Sequence, residues 1–129
     1  MIKRTNAMTG AERQSDKFTV SSRKIIAESP EVQVKEFTLH AGEQVPWHHH
    51  TSVFDVFYCI EGRLIVERMD VASGKRLDDL VLQVGDSVKV VPGTAHRPFN
   101  PDTALCRFVL IQGDGKYDFL PYRQGSAGT

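Results

Sequence analysis

Residues 42–62 read GEQVPWHHHTSVFDVFYCIEG, with a glycine at each end, three consecutive histidines and an alternating apolar run between them. The chain holds five histidines, His40, His48, His49, His50 and His96, so most of its imidazole falls at one spot. The run at 53–60 is rich in Val, Phe and Tyr and is closed by glycine, which predicts a strand. Successive side chains of a strand face opposite sides, so His48 and His50 share one face and His49 looks away. His40 precedes a turn, and both it and His49 are expected to be surface or structural residues.

The same grammar extends outward from this stretch. Short runs rich in Val, Ile, Phe and Tyr alternate with Gly, Pro, Asp and Asn at intervals of roughly ten residues. They predict strands near 18–27, 31–40, 45–50, 53–60, 62–70, 77–83, 87–91, 95–99 and 104–112. No helix of ordinary length competes, and the pattern is that of an all-β sandwich or barrel. Gly42 sits where a tight turn needs positive φ, Gly62 forms a hairpin apex, and VASGK at 71–75 forms the tip of another hairpin. VVPGTAH at 90–96 ends a strand at its Pro-Gly pair and re-aims the chain toward the next strand.

A chain of 129 residues supports one core and one domain. Residues 1–17 are polar without an apolar period and read as a flexible arm, 18–120 as the barrel and 121–129 as a flexible tail. Tyr117, Phe119, Leu120 and Tyr122 are expected to fold back on the barrel. Lys plus Arg equals Asp plus Glu at 16 each, and no long charged block is present, which argues against nucleic acid and membrane surfaces as partners. A small molecule is the expected partner. The N-terminus lacks the apolar core of a signal peptide and no stretch is long enough to span a bilayer, so a cytoplasmic protein is expected. Cys59 and Cys106 form no CxxC pair and read as reduced, buried thiols.

His48 and His50 aim at a common centre, Asp55 returns a carboxylate from the next strand, and His96 comes after the Pro-Gly turn. Imidazole nitrogen and carboxylate oxygen suit Fe, Mn, Ni, Zn or Cu as divalent ions. Spacing alone leaves a second reading open, in which HHH is a polar strand end exposed to water.

The order of glycines and ligands resembles the cupin superfamily. Its first motif is matched by Gly42, EQVPW, His48-His49-His50, TSVF, Asp55, VFYCIE and Gly62, with Asp55 at the usual glutamate position. Its second is matched by Gly85, DSVKV, Val91-Pro92-Gly93, TA, His96, RPF and Asn100, with Val91 where proline is usual. The resemblance covers about residues 32–112. It implies a single-domain antiparallel double-stranded β-helix, or jelly-roll barrel, holding a divalent transition metal on His48, His50, Asp55 and His96. The resemblance further implies a metal-dependent enzyme on a small oxygenated organic molecule, of dioxygenase, lyase or isomerase type. The alternative is a non-catalytic module that binds metal and a small ligand. Phe57 and Cys59, in phase with Asp55, and Val88 and Val90 are expected to line the cavity. Trp47 is expected to cover a subunit contact of a homodimer or, as the alternative, to wall the pocket. Glu36, Tyr58, Glu61 and Arg107 receive no role, because one residue of register slip would turn each from inside to outside.

Overall fold

The computed structural model describes residues 22–123, so the expected arm at 1–17 and residues 124–129 of the expected tail lie outside the described residues. Strands run in chain order as β1 Ser22–Glu28, β2 Gln33–Leu39, β3 His48–His49, β4 Phe54–Glu61, β5 Leu64–Asp70, β6 Arg76–Leu82, β7 Ser87–Val90, β8 Thr94–Phe99, β9 Cys106–Gly113 and β10 Leu120–Pro121. They form two five-stranded antiparallel sheets, one ordered β1-β2-β9-β4-β7 and the other β10-β3-β8-β5-β6. This is the all-β jelly roll that the sequence predicts. Among the described residues no helix is long and apolar enough to cross a membrane.

The alternation that marks each strand in the sequence becomes the inner and outer face of a sheet. On β4, Asp55, Phe57 and Cys59 are buried while Tyr58 is exposed. On β9, Cys106, Phe108, Leu110 and Gln112 point inward. Phe37 of β2 pairs with Phe108 of β9, and their rings stack 5.0 Å apart and 3° from parallel. Burying each such side chain contributes about 1.5–3 kcal/mol. Cys59 and Cys106 are fully buried free thiols, and burial pushes the Cys106 thiol up to about 12.

Two motif positions serve the frame. Gly62 has φ +74°, and a Cβ there would stand 2.2 Å from the carbonyl oxygen of Leu105. Both the conformation and the space demand glycine. Asn100 is 1% exposed; its Nδ2 donates to the carbonyls of Leu39 (3.1 Å) and Ala104 (2.8 Å), and its Oδ1 accepts from the amide of Asp102 (2.9 Å). It locks the β8–β9 connection and takes no part in the histidine cluster.

The chain after β9 crosses back over the histidine strand. β10 pairs Leu120 with His49 and Pro121 with His48, and the Tyr122 amide donates to the Trp47 carbonyl at 3.0 Å. The Trp47 ring lies against Tyr122, with the Arg76 guanidinium 5.6 Å from its centre.

Candidate metal centre

Each sheet contributes to one buried polar centre. His48 pairs with His96 across β3 and β8, and His50 directly succeeds β3, so three imidazoles come from one sheet. Asp55 comes from β4 of the facing sheet. The structure brings all four together: each offers a ligating atom, these atoms lie within 4.8 Å of one another, and all four residues are buried. Among the described residues, the burial of all four excludes a solvent-exposed HHH strand end. His49 stays outside the cluster, half-buried with its ring edge-on to Tyr122 at 6.2 Å, and His40 is exposed.

The backbone sets the orientation of every ring. His48 Nδ1 donates to the Pro46 carbonyl at 2.8 Å, His96 Nδ1 to the Thr94 carbonyl at 2.9 Å, and His50 Nδ1 to the Asp118 carbonyl at 2.5 Å. A carbonyl oxygen only accepts, so Nδ1 carries a proton in each ring and Nε2 is the nitrogen turned inward. Asp55 Oδ2 lies 2.9 Å from His96 Nε2 and 3.2 Å from His50 Nε2. The carboxylate is one methylene shorter than glutamate, yet it reaches the imidazole nitrogens. Its second oxygen, Oδ1, accepts from Gln112 Nε2 at 2.9 Å.

The electrostatics match this geometry. Burial pulls the His48 pKa well below its usual value, and the neighbouring His96 pulls it further, so His48 is a neutral imidazole. Burial opposes charge on His50 as well, but the hydrogen bond and charge of Asp55 outweigh it and raise its pKa. Asp55 is desolvated too, and the hydrogen bonds from His50 and His96 hold its carboxyl far below the usual carboxylate range. An ionised carboxylate beside three imidazoles with inward nitrogens is a donor set that could hold a divalent transition metal.

The centre opens into a narrow recess of about 20 Å³. Phe37, Phe57, Phe108 and Leu110 form its apolar wall, and Arg23, Lys35, Gln112, Tyr117 and Phe119 bring polar or aromatic groups. Phe119 stacks on the His48 ring at 4.4 Å, which seats the segment after β9 over the cluster. Phe57 lines this recess as expected, whereas Cys59, Val88 and Val90 belong to the hydrophobic core below it. Glu36, Tyr58, Glu61 and Arg107 all lie on the outer side of the sheet, away from the centre.

Sequence reasoning missed Lys35, Gln112 and the carbonyl of Asp118. Lys35 is in phase with Phe37 and Leu39, and Gln112 with Phe108 and Leu110, so a polar residue continuing an inward apolar alternation was the available signal. The Asp118 carbonyl left none, because its approach to His50 depends on how the segment after β9 returns.

Comparison with known proteins agrees with this architecture. A double-stranded β-helix protein from Klebsiella pneumoniae superposes with TM-score 0.69 at 19% identity, covering 95% of this chain and 97% of that one. An oxalate oxidase solved in complex with glycolate gives TM-score 0.70 at 17% identity over 88% of this chain. An oxalate decarboxylase gives 0.69 at 19% identity over 86% of this chain. The chain spans only 60% of that oxidase and 29% of that decarboxylase. No curated protein sequence matches the chain. The cupin domain profile matches residues 35–112, well over half of the sequence and both segments that supply the histidines, and the chain belongs to the cupin family.

Proposed function

We propose that this cupin is a divalent-metal-dependent enzyme acting on a small oxygenated organic molecule, by oxygenation or by metal-assisted lyase or isomerase chemistry. One observation carries the reading: three buried imidazoles commit Nδ1 to backbone carbonyls while Nε2 and one oxygen of Asp55 converge. His48, His50, His96 and Asp55 would hold the ion. When bound, such an ion supplies a Lewis acid for a substrate oxygen, a lowered pKa for water or, as iron, redox chemistry with dioxygen. The carbonyls of Pro46, Thr94 and Asp118 fix each ring's direction, so the rings need not turn when an ion arrives. Gln112 holds Asp55 Oδ1 and thereby aims Oδ2 at the centre. Phe119 covers the His48 face and limits water there. The narrowness of the recess and its apolar wall favour a small substrate. The likeness to an oxalate oxidase and an oxalate decarboxylase, proteins named for a small oxygenated acid, supports the same class.

Metal analysis of protein purified without a histidine tag tests this. About one divalent ion per chain is expected, falling below a tenth of that in the His48→Ala/His50→Ala double variant. Unchanged metal content in that variant would sink the proposal. Turnover assays on oxygenated acids and sugars, with each metal restored, then read the reaction. Metal uptake with ligand-induced shifts in Tm but no turnover would move the assignment to a binding module. The chain is further proposed to be cytoplasmic and to pair with a second copy, since Ile25 and Ile26 of edge strand β1 are 53% and 51% exposed. A concentration-independent monomer mass in light scattering would refute that pairing.

A further inference from the structure

A lysine occupies an inward position of β2, where the residues in phase with it are Phe37 and Leu39. Lys35 is half-buried there, with its ammonium turned toward the interior rather than out to the bulk solvent that lysines usually reach. Here its Nζ donates to Gln112 Oε1 at 2.8 Å and lies 5.0 Å from the centre of the Tyr117 ring. Among the described residues no carboxylate comes within 4.0 Å of it as an ion-pair partner. An ammonium carries three donors, and Gln112 takes one. Gln112 is itself fixed at both ends, its Nε2 donating to Asp55 and its Oε1 accepting from Lys35. The relay Asp55–Gln112–Lys35 therefore ties the ammonium to the histidine centre, at the same recess that Arg23 lines. An ammonium with no carboxylate in contact, beside a cluster built for a cation, gives the recess a place for a negative group. Beside the lysine on the same sheet, Phe37, Phe108 and Leu110 give the recess an apolar wall.

We infer that Lys35 is the group that receives the anionic end of the substrate, and that the substrate class is small carboxylates whose carbon body rests on Phe37, Phe108 and Leu110. The inference rests on the proposal that this recess is the substrate site. A carboxylate fits the narrow recess better than a phosphate, being planar and of fewer atoms. Burial pulls the Lys35 pKa down to about 8, so the ammonium remains the main form at neutral pH.

The test is calorimetric titration of the metal-loaded full chain with glycolate, pyruvate and benzoate, each beside its uncharged amide, and with inorganic phosphate. At least one carboxylate should bind tenfold or more tightly than its amide. That ratio should fall to within about threefold in Lys35→Met and in Lys35→Gln, and survive in Lys35→Arg, with metal content unchanged in all three. Two neutral variants are made so that misfolding of one leaves the other. The inference is overturned if the wild type shows no carboxylate preference, if the preference persists in the neutral variants, or if phosphate binds ahead of every carboxylate. Metal content is read separately, and the titrations are repeated on metal-free protein. A chain that takes up no metal but keeps a Lys35-dependent preference would refute the metal proposal and leave this one standing.

Discussion

Strands β2 and β9 carry two polar clusters back to back, one on each face of the same sheet. On the outer face, Arg107 donates from Nε to Glu36 Oε2 at 2.9 Å and from Nη1 to Glu61 Oε1 at 3.2 Å, while Lys24 Nζ lies 3.7 Å from Glu36. On the inner face stand Lys35, Gln112 and Asp55. Lys35 and Glu36 are adjacent in sequence, and the pleat alone sends them to opposite environments. The outer set balances two cations against two carboxylates within reach of water. The inner set answers Asp55 with imidazoles and leaves the lysine without a carboxylate. An available counter-charge in contact separates a scaffold charge from one able to act on a ligand.

The largest expected effect breaks this contrast by truncating one carboxylate on each face. Asp55→Ala, measured by urea unfolding of metal-free protein at pH 7, should lose on the order of 3–5 kcal/mol, because it strands Gln112 and two imidazoles out of water. Glu36→Ala should lose no more than about 1 kcal/mol, since water reaches the groups it leaves. Equal losses would mean that the two faces do not differ as described.

The next effect sharpens the contrast through pH. Burial, with Arg23 adding to it and Asp55 and Glu28 opposing, lowers the Lys35 pKa from 10.5 to about 8. Tyr117, raised to about 12 by burial, stays neutral through that window. Between about 8 and 10.5 the unfolded lysine still holds its proton while the folded one has released it, so the unfolded state binds more protons and stability rises with pH. A fall of that size corresponds to roughly 3 kcal/mol, and the water that still reaches the ammonium reduces it to about 1–2 kcal/mol. Metal-free wild type should gain that much relative to Lys35→Met between pH 8 and 10.5. Parallel stability curves would show that the lysine is solvated like those outside.

The same contrast explains what was legible in the sequence. Strand alternation and turn glycines locate nine of the strands, and the two histidine segments identify His48, His50, Asp55 and His96 as residues to be brought together. Glu36, Tyr58, Glu61 and Arg107 could not be assigned a face, because sequence periodicity gives relative parity within a strand while register against neighbours sets which parity is inside. Pairing of Asp55 with Gln112 and of Phe37 with Phe108 settles it. Strand β10 was invisible for a different reason: two residues carry no period, and their pairing with His48 and His49 depends on the return of the whole segment after β9.

The smallest expected effect tests the outer cluster on its own terms. Arg107 engages Glu36 through both Nε and Nη2, with side chains 36% and 12% exposed, so the pair is partly shielded but not dry. A double-mutant cycle on Glu36→Gln and Arg107→Met should return a coupling below about 1 kcal/mol. Because the Debye length shortens from about 10 Å at 0.1 M salt to about 3 Å at 1 M, that coupling should shrink further on adding salt. Carboxylate binding in the recess should be unchanged in both variants, since the pleat points these side chains away from Lys35. A coupling of several kcal/mol that resists salt would place the outer ion pair in the same low-dielectric class as Asp55, and the distinction between the two faces would then rest on counter-charge alone.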